Sequence, residues 1–388
     1  MIARILIPLI VLIALPDLYL HWHYLNKRKG YTSLWRVVYW MPAVLMLAYT
    51  FVLASVRGFA PEKTEWLFVY LLLLGILVVP KVVFALCSFI GLLFCRLLRK
   101  RQNWGNLIGL VLALFSVIIV LYGSFIGSRR LVVRQEKFCS KMLPPAFDGY
   151  KIVHFSDAHV GSYLGNTRFM EKVVNAINEQ QADAVIFTGD LQNMIPSELD
   201  CMQSVLSSVS AKDGVWSVLG NHDYSFYTKA DFATEALNES LLRSKERSMG
   251  WKLLLNEHQT IRRGGDTLVI AGMEDSGKSP FPQKGDIEKT VSGIPKGSFV
   301  IMLQHDPTAW KREILPHSDA QLTLSGHTHG GQLKLFGWSP ASVAYDEWGG
   351  MYHEGHRALN VSTGIGGFVP FRFGVPPEIV VITLRAEK

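Results

Sequence analysis

Tyr150-Lys151-Ile152-Val153-His154-Phe155-Ser156-Asp157-Ala158-His159 is the stretch on which the fold turns. Its first six residues read as a short apolar strand, and a polar Ser-Asp-x-His run begins where that strand ends. The pattern recurs downstream. Residues 184–188 read as a strand followed by Gly189-Asp190, and residues 215–219 as a strand followed by Gly220-Asn221-His222-Asp223. Two later strands, 299–303 and 321–324, run into Gln304-His305-Asp306 and Gly326-His327-Thr328-His329-Gly330-Gly331-Gln332. Further strands are expected at 267–271, 359–362 and 379–384. Asn166 or Thr167 can cap a helix to about residue 181, with Phe169, Val173, Val174 and Ile177 on one face, and a second helix is expected near 197–208. Such alternation is α/β architecture.

In open α/β sheets, ligand sites form beyond the carboxyl ends of the strands. Five polar clusters would therefore converge on one rim. Their side chains are carboxylates, imidazoles and one amide oxygen, with no thiolate, which suits two divalent ions of manganese, iron or zinc. Gly189, Gly220 and Gly326 read as positions whose backbone freedom swings a side chain off a strand end.

The region before this domain has a different character. The chain has 388 residues, 49% of them hydrophobic, and the excess lies in the first third. Residues 1–20, 37–56, 66–95 and 107–126 read as four transmembrane helices within a membrane domain spanning 1–128. The third is long and interrupted by Pro80-Lys81, so a kinked or tilted helix is expected, with a re-entrant pair as the alternative. Residues 129–148 read as a linker and entry strand, and 149–388 as the globular domain. The formal charge of +7 comes largely from residues flanking the spans, which points to membrane anchoring rather than nucleic acid. Lys27, Arg28, Lys29 and Arg36 follow the first span, and Arg96, Arg99, Lys100 and Arg101 the third. Arg57 and Lys63, diluted by Glu62 and Glu65, follow the second. Basic loops stay in the cytoplasm, so the globular domain is expected outside. Of four cysteines, Cys139 and Cys201 lie outside the spans; four unpaired thiols are expected.

The order D-x-H, G-D, G-N-H-D, H, G-H-T-H resembles the calcineurin-like metallophosphoesterase family. Ser362-Thr363-Gly364-Ile365-Gly366, Arg372-Phe373-Gly374 and Pro376-Pro377-Glu378-Ile379 resemble its bacterial branch, some members of which are membrane-anchored. The resemblance covers about residues 148–385. It implies a two-sheet αββα sandwich in which Asp157, His159, Asp190 and His329 hold one metal and Asp190, Asn221, His305 and His327 the other. It implies hydrolysis of a phosphoester or pyrophosphate by a hydroxide between the metals, with His222 stabilising charge or protonating the leaving oxygen. An anchored domain suggests a phosphorylated substrate at or near the lipid. A lipid-linked pyrophosphatase acting on a nucleotide-diacylglucosamine from the cytoplasmic side is a narrower version. A receptor or transporter with a ligand-binding, non-catalytic outer domain is the reading of another class, disfavoured because the spans show no paired charges.

Two patterns are decoys. Gly272–Ser279 matches a phosphate-binding loop, but Pro280 and Pro282 oppose the helix that must follow, and Glu274 and Asp275 would repel phosphate. Tyr352-His353-Glu354-Gly355-His356 has its histidines three apart rather than four, so a surface loop is expected instead of a zinc helix. Arg372 is expected in a structural ion pair or against a substrate phosphate. Gln332 is a candidate support for the metal loop, and Asp17 and His21 mark a membrane interface.

Overall fold

The computed structural model describes residues 2–387 except 57, 62, 280 and 282. Arg57, Glu62, Pro280 and Pro282, named above, lie outside the described residues. The chain forms two units, residues 1–126 and 127–388.

The first unit holds four helices long and apolar enough to cross a membrane: Ile2–Leu25, Ser33–Ala54, Thr64–Leu97 and one beginning at Trp104. The chain is a membrane protein. Most of these helices run past the apolar stretches read from sequence, because hydropathy marks the hydrocarbon-facing part while the helix continues into polar flanks. The third is one continuous helix of 34 residues, not a re-entrant pair. At 1.5 Å per residue it spans about 50 Å. Its turn at Leu74–Val78 is widened to a π-helix just before Pro80, where the proline ring and missing N–H disturb the ordinary ladder. Third and fourth helices approach closely through glycines: a Cβ on Gly105 would lie 2.2 Å from the Cys87 carbonyl oxygen. Small residues let helices pack closely where lipid supplies no hydrophobic drive.

This unit corrects two expectations: that Asp17 marks a membrane interface, and that the spans show no paired charges, the ground on which a receptor or transporter was disfavoured. Asp17 and Lys81 form an ion pair, with Nζ 2.8 Å from Oδ1 and 2.9 Å from Oδ2. Asp17 is buried, and Tyr39 Oη donates to its carbonyl oxygen at 2.8 Å. The two residues are 64 positions apart, so no local pattern joins them. Asp17 is thus an internal ion-pair partner rather than an interface marker. His21 contacts Tyr31 through Nδ1 at 3.2 Å.

The second unit is a sandwich of two six-stranded sheets. One is built from β1 (Val132–Ser140), β2 (Lys151–Phe155), β3 (Ala184–Phe187), β4 (Val215–Ser217), β5 (Lys252–Leu253) and β12 (Glu378–Ala386), in the order β1-β12-β2-β3-β4-β5. The other contains β6 (Glu257–Arg263), β7 (Asp266–Gly272), β8 (Phe299–Leu303), β9 (Leu322–Ser325), β10 (Gly350–Glu354) and β11 (Arg357–Val361), in the order β10-β11-β9-β8-β7-β6. The central strands β2, β3 and β4, and β7, β8, β9 and β11, are parallel. Alternation along each strand sends one set of side chains between the sheets: Ile152, Ile186 and Ile382 face Ile270, Ile301 and Leu324. The opposite set, Val153 and Phe155, packs on the helix Arg168–Asn178 through Phe169, Val173 and Ile177. Trp310 and Ile314 cover the outer face of the second sheet. Each fully buried Leu, Ile or Phe contributes about 1.5–3 kcal/mol.

In the segment read as a linker and entry strand, β1 pairs in parallel with β12 over nine positions, from Val132↔Glu378 to Ser140↔Ala386. It is an edge strand that buries only Phe138 and Ser140, so its alternation is faint. The helix expected near 197–208 is two short turns, Pro196–Leu199 and Gln203–Leu206. The helix Phe232–Ser248, capped by Asp231 Oδ1 accepting from Thr234 N at 2.9 Å, had no reading from sequence. Residues 350–361, read in part as a loop, form the β10–β11 hairpin, which places His353 on a strand and His356 in its turn.

Candidate metal centre

Every cluster sits beyond the carboxyl end of a strand. Asp157 and His159 follow β2, Asp190 follows β3, and Asn221 and His222 follow β4. From the other sheet, His305 follows β8, and His327 and His329 follow β9. The two sheets thus bring all eight residues to one end of the sandwich.

The backbone turns sharply to do this. Asp157 (φ 55°), His159 (45°), Asp190 (60°), His327 (72°) and His329 (50°) all adopt left-handed conformations. Each such residue costs of order 1–3 kcal/mol, and such strain gathers at functional sites. The glycines act differently from expectation. Gly189 does take a positive φ of 92°. Gly220 and Gly326 do not; they supply room. A Cβ on Gly220 would lie 2.3 Å from Asp190 Oδ1, and one on Gly326 2.3 Å from Asp157 Oδ2.

Two groups of side chains result, sharing Asp190. Ligand atoms of Asp157, His159, Asp190 and His329 all lie within 4.8 Å of one another, as do those of Asp190, His305 and His327. His159 Nε2 is 3.5 Å and His305 Nε2 3.2 Å from Asp190 Oδ2, and His329 Nε2 is 3.6 Å from Asp157 Oδ1. Asn221 Oδ1 joins the second group, 2.8 Å from His327 Nδ1. The far sides of two rings are tied down: His159 Nδ1 to Asn193 Oδ1 at 2.9 Å and His305 Nδ1 to the Thr188 carbonyl at 2.6 Å. Their buried Nε2 atoms have no hydrogen-bond partner among the described residues. Such an orphan is costly unless something takes the lone pair. Carboxylates, inward lone pairs and rings braced from behind are what a pair of divalent ions requires, so these residues fit them.

The charges are interdependent. Burial opposes ionisation of Asp190, yet His305 and His222 beside it hold its carboxyl well below the usual range. Burial, with Asp190 next to it, raises Asp157. His222 is half-buried. Its backbone N–H donates to Asp190 Oδ1 at 2.8 Å, and its Nδ1 meets the Asn193 carbonyl at 2.6 Å. Burial pushes its imidazole down to about 4 against the pull of Asp190.

The chain is similar to known families and proteins. Residues 3–128 match the family described as probable calcineurin-like phosphoesterase, transmembrane domain, and residues 150–331 match the calcineurin-like phosphoesterase family. Metallophosphoesterase YkuE of Bacillus subtilis is 32% identical, over 68% of this chain and 89% of its own length. The chain belongs to the calcineurin-like phosphoesterase family. A metallophosphoesterase of Aquifex aeolicus is 30% identical, over 70% of this chain and 98% of its own length. UDP-2,3-diacylglucosamine pyrophosphatase LpxG of Chlamydia trachomatis is 26% identical, over 62% of this chain and 84% of its own length.

The protein is therefore a metal-dependent phosphoesterase with a buried His/Asp site and a transmembrane domain. Several residues that build this phosphoesterase site carried no assigned role in the sequence. Asp223 accepts backbone N–H groups from both ligand loops: Asp190 and Gly220 at 2.8 Å on Oδ2, Leu191 at 2.9 Å and Gln192 at 3.3 Å on Oδ1. Asn193 braces His159 and His222 together. Asp223 closes the quoted Gly220–Asp223 motif and Asn193 lies three residues past Asp190, so membership of a motif or proximity to one was the available signal. Tyr345, whose Oη is 2.9 Å from His327 Nε2, had none.

Arg372 forms no ion pair among the described residues. It is buried and donates to the backbone carbonyls of Thr363 (2.6 Å), His329 (3.2 Å) and Gly366, clasping the His329 loop. Gln332 ties the same loop to the Val369 carbonyl at 2.9 Å. Among the described residues of the Gly272–Ser279 decoy, Lys278 is exposed, and Ser276 bridges Gln283 in an antiparallel pair where a phosphate loop needs a helix. All four cysteines are free.

Proposed function

We propose that this phosphoesterase hydrolyses a phosphoester or pyrophosphate borne by a lipid, using two divalent ions of manganese, iron or zinc. Asp157, His159, Asp190 and His329 hold one, and Asp190, Asn221, His305 and His327 the other. The orphaned imidazole nitrogens around Asp190 carry this reading. Bound there, such ions acidify water and neutralise charge on phosphoryl oxygens.

The chain's own residues do the rest. Asn193 and Thr188 hold two imidazoles so that Nε2 faces inward. Asp223 clamps the loops that carry Asp190 and Asn221. His222 donates through Nδ1 to the Asn193 carbonyl, which leaves the Nε2 of its neutral ring as an acceptor; once it takes up a proton from solvent there, it can pass that proton to the leaving oxygen.

The lipid part rests on connectivity: the last span's helix ends at Phe125 and β1 begins at Val132. The basic loops at 27–36 and 96–101 support an extracytoplasmic catalytic domain. Purified protein with manganese, zinc or magnesium is expected to hydrolyse phospholipids or lipid pyrophosphates faster than soluble diesters. Turnover of soluble diesters alone would sink the lipid part; turnover of nothing with any of the ions would sink the whole.

The name of the Chlamydia relative favours a second reading, a nucleotide-linked diacylglucosamine pyrophosphate as substrate. That substrate calls for a cytoplasmic site. A reporter fused after Lys388 separates the two: activity only in the cytoplasm rejects the outside placement and favours this second reading.

A further inference from the structure

A line of buried polar side chains crosses the apolar space between the sheets and ends at a metal-facing histidine. His154 lies on β2, two residues from Ile152, and so shares that residue's face toward the inter-sheet core. It is fully buried. A polar ring in such a core is retained only with both nitrogens satisfied. Here they are. Asn360 Nδ2 on β11 lies 2.8 Å from His154 Nδ1, and His154 Nε2 lies 2.9 Å from Thr188 Oγ1.

The proton positions follow from chemistry. Arg134 on β1 can only donate, and its guanidinium is 3.2 Å from Asn360 Oδ1. The amide's NH2 therefore faces His154, whose Nδ1 must accept. Nε2 then carries the proton and donates to the Thr188 hydroxyl. The Thr188 main-chain carbonyl in turn takes the Nδ1 proton of His305 at 2.6 Å, which turns His305 Nε2 toward Asp190. Arg134 is itself held by Glu378, with Nε 3.3 Å from Oε2.

We propose that His154 is a positioning residue for the second metal group: it fixes Thr188, and through the Thr188 carbonyl it sets the tautomer and aim of His305. This rests on the ligand assignment made above. The ring is suited to a fixed role rather than a switching one, because burial and the Arg134 cation push it down to about 3 and keep it neutral. Thr188 is a natural place for such control. It opens the Thr188-Gly189-Asp190 turn, and its carbonyl is the atom that holds His305 Nδ1.

The test is manganese binding to the purified full chain by equilibrium dialysis, read as ions per chain and the affinity of each. His154→Leu suits the apolar core but loses both hydrogen bonds; it should weaken one ion by about tenfold and spare the other. His154→Gln can still accept from Asn360 and donate to Thr188, and should restore most of that affinity. Thr188→Val should reproduce the leucine defect and add nothing to it in the double variant. Wild-type affinity for both ions in His154→Leu overturns the proposal. So does equal weakening of both ions in the Leu and Gln variants, which marks a structural role only. If His154→Leu does not fold, Thr188→Val decides alone: loss of one ion supports the proposal and unchanged binding overturns it. Asp190→Ala serves as the control. Retention of both ions there defeats the ligand assignment itself, whereas loss there with normal binding in His154→Leu defeats only this inference.

Discussion

Both units of the molecule bury charge, but they resolve it in opposite ways. In the membrane unit, Asp17 meets Lys81 and the pair closes on itself at 2.8 and 2.9 Å. In the catalytic unit, His159 and His305 turn buried Nε2 atoms toward Asp190 that make no hydrogen bond among the described residues. A closed pair cancels its own field and asks for nothing more. An open cluster is incomplete until a cation arrives. Unmet valence, more than burial or charge alone, separates a structural pair from a binding site.

The largest expected effect comes from removing the carboxylate both groups share. Asp190→Ala should abolish binding of the metal pair and cut activity by about a thousandfold or more, since Lewis acidity supplies several kcal/mol. Metal content by mass spectrometry and turnover of a diester check this together. Full activity would dissolve the contrast between the two units.

His222→Ala should separate chemistry from binding. It should keep both ions yet lower kcat by about 10²–10⁴-fold, the usual worth of a positioned acid. A variant that loses metal instead would make His222 part of the ligand scaffold.

The closed pair can be opened. Asp17→Leu strands the Lys81 cation inside the helices and should destabilise by about 3–5 kcal/mol. Adding Lys81→Leu should recover most of that. Thermal unfolding in detergent reads both variants, and activity of the solubilised double variant should stay near wild type. A double variant no more stable than Asp17→Leu would mean the pair does more than cancel charge.

Glu246 sharpens the rule at the small end. Its Oε1 is also buried without a partner, while Ser217 donates to Oε2 at 2.7 Å. No histidines gather around it, and a proton answers its need: burial, with Asp223 adding to it, pushes the carboxyl up to about 8. An unfolded glutamate titrates near 4.3, about 4 units lower. The folded form therefore holds an extra proton between these values. Its stabilising share is complete below about pH 4 and is lost as pH rises through about 8. Glu246→Gln should gain stability over wild type as pH rises, by about 1–3 kcal/mol at pH 8. A difference in melting temperature that does not vary with pH would refute this protonation state.

Much of this was legible before any coordinates. Short apolar runs ending in Asp, His and Asn marked the strands and the rim, because a strand's period and its polar stop are local properties. Four apolar segments marked the membrane unit for the same reason. Local pattern misled where burial is one-sided or set by distant partners. β1 was legible only as a linker and entry strand because an edge strand has little to alternate. The amphipathic helix Phe232–Ser248 was passed over for its weak stripe, only Leu242 and Glu246 being buried.

The sequence by itself determined the elements, the membrane spans and the identity of the candidate ligands, since each depends on residues adjacent in the chain. Only the tertiary structure decided which charges meet. Asp17 finds Lys81 across 64 residues, and His305 finds the Thr188 carbonyl across 117. It also decided that Gly220 and Gly326 give space rather than backbone freedom, and that Arg372 clasps backbone carbonyls. Such contacts depend on how two sheets and a helix bundle bring distant segments together, and no periodicity in the chain records that.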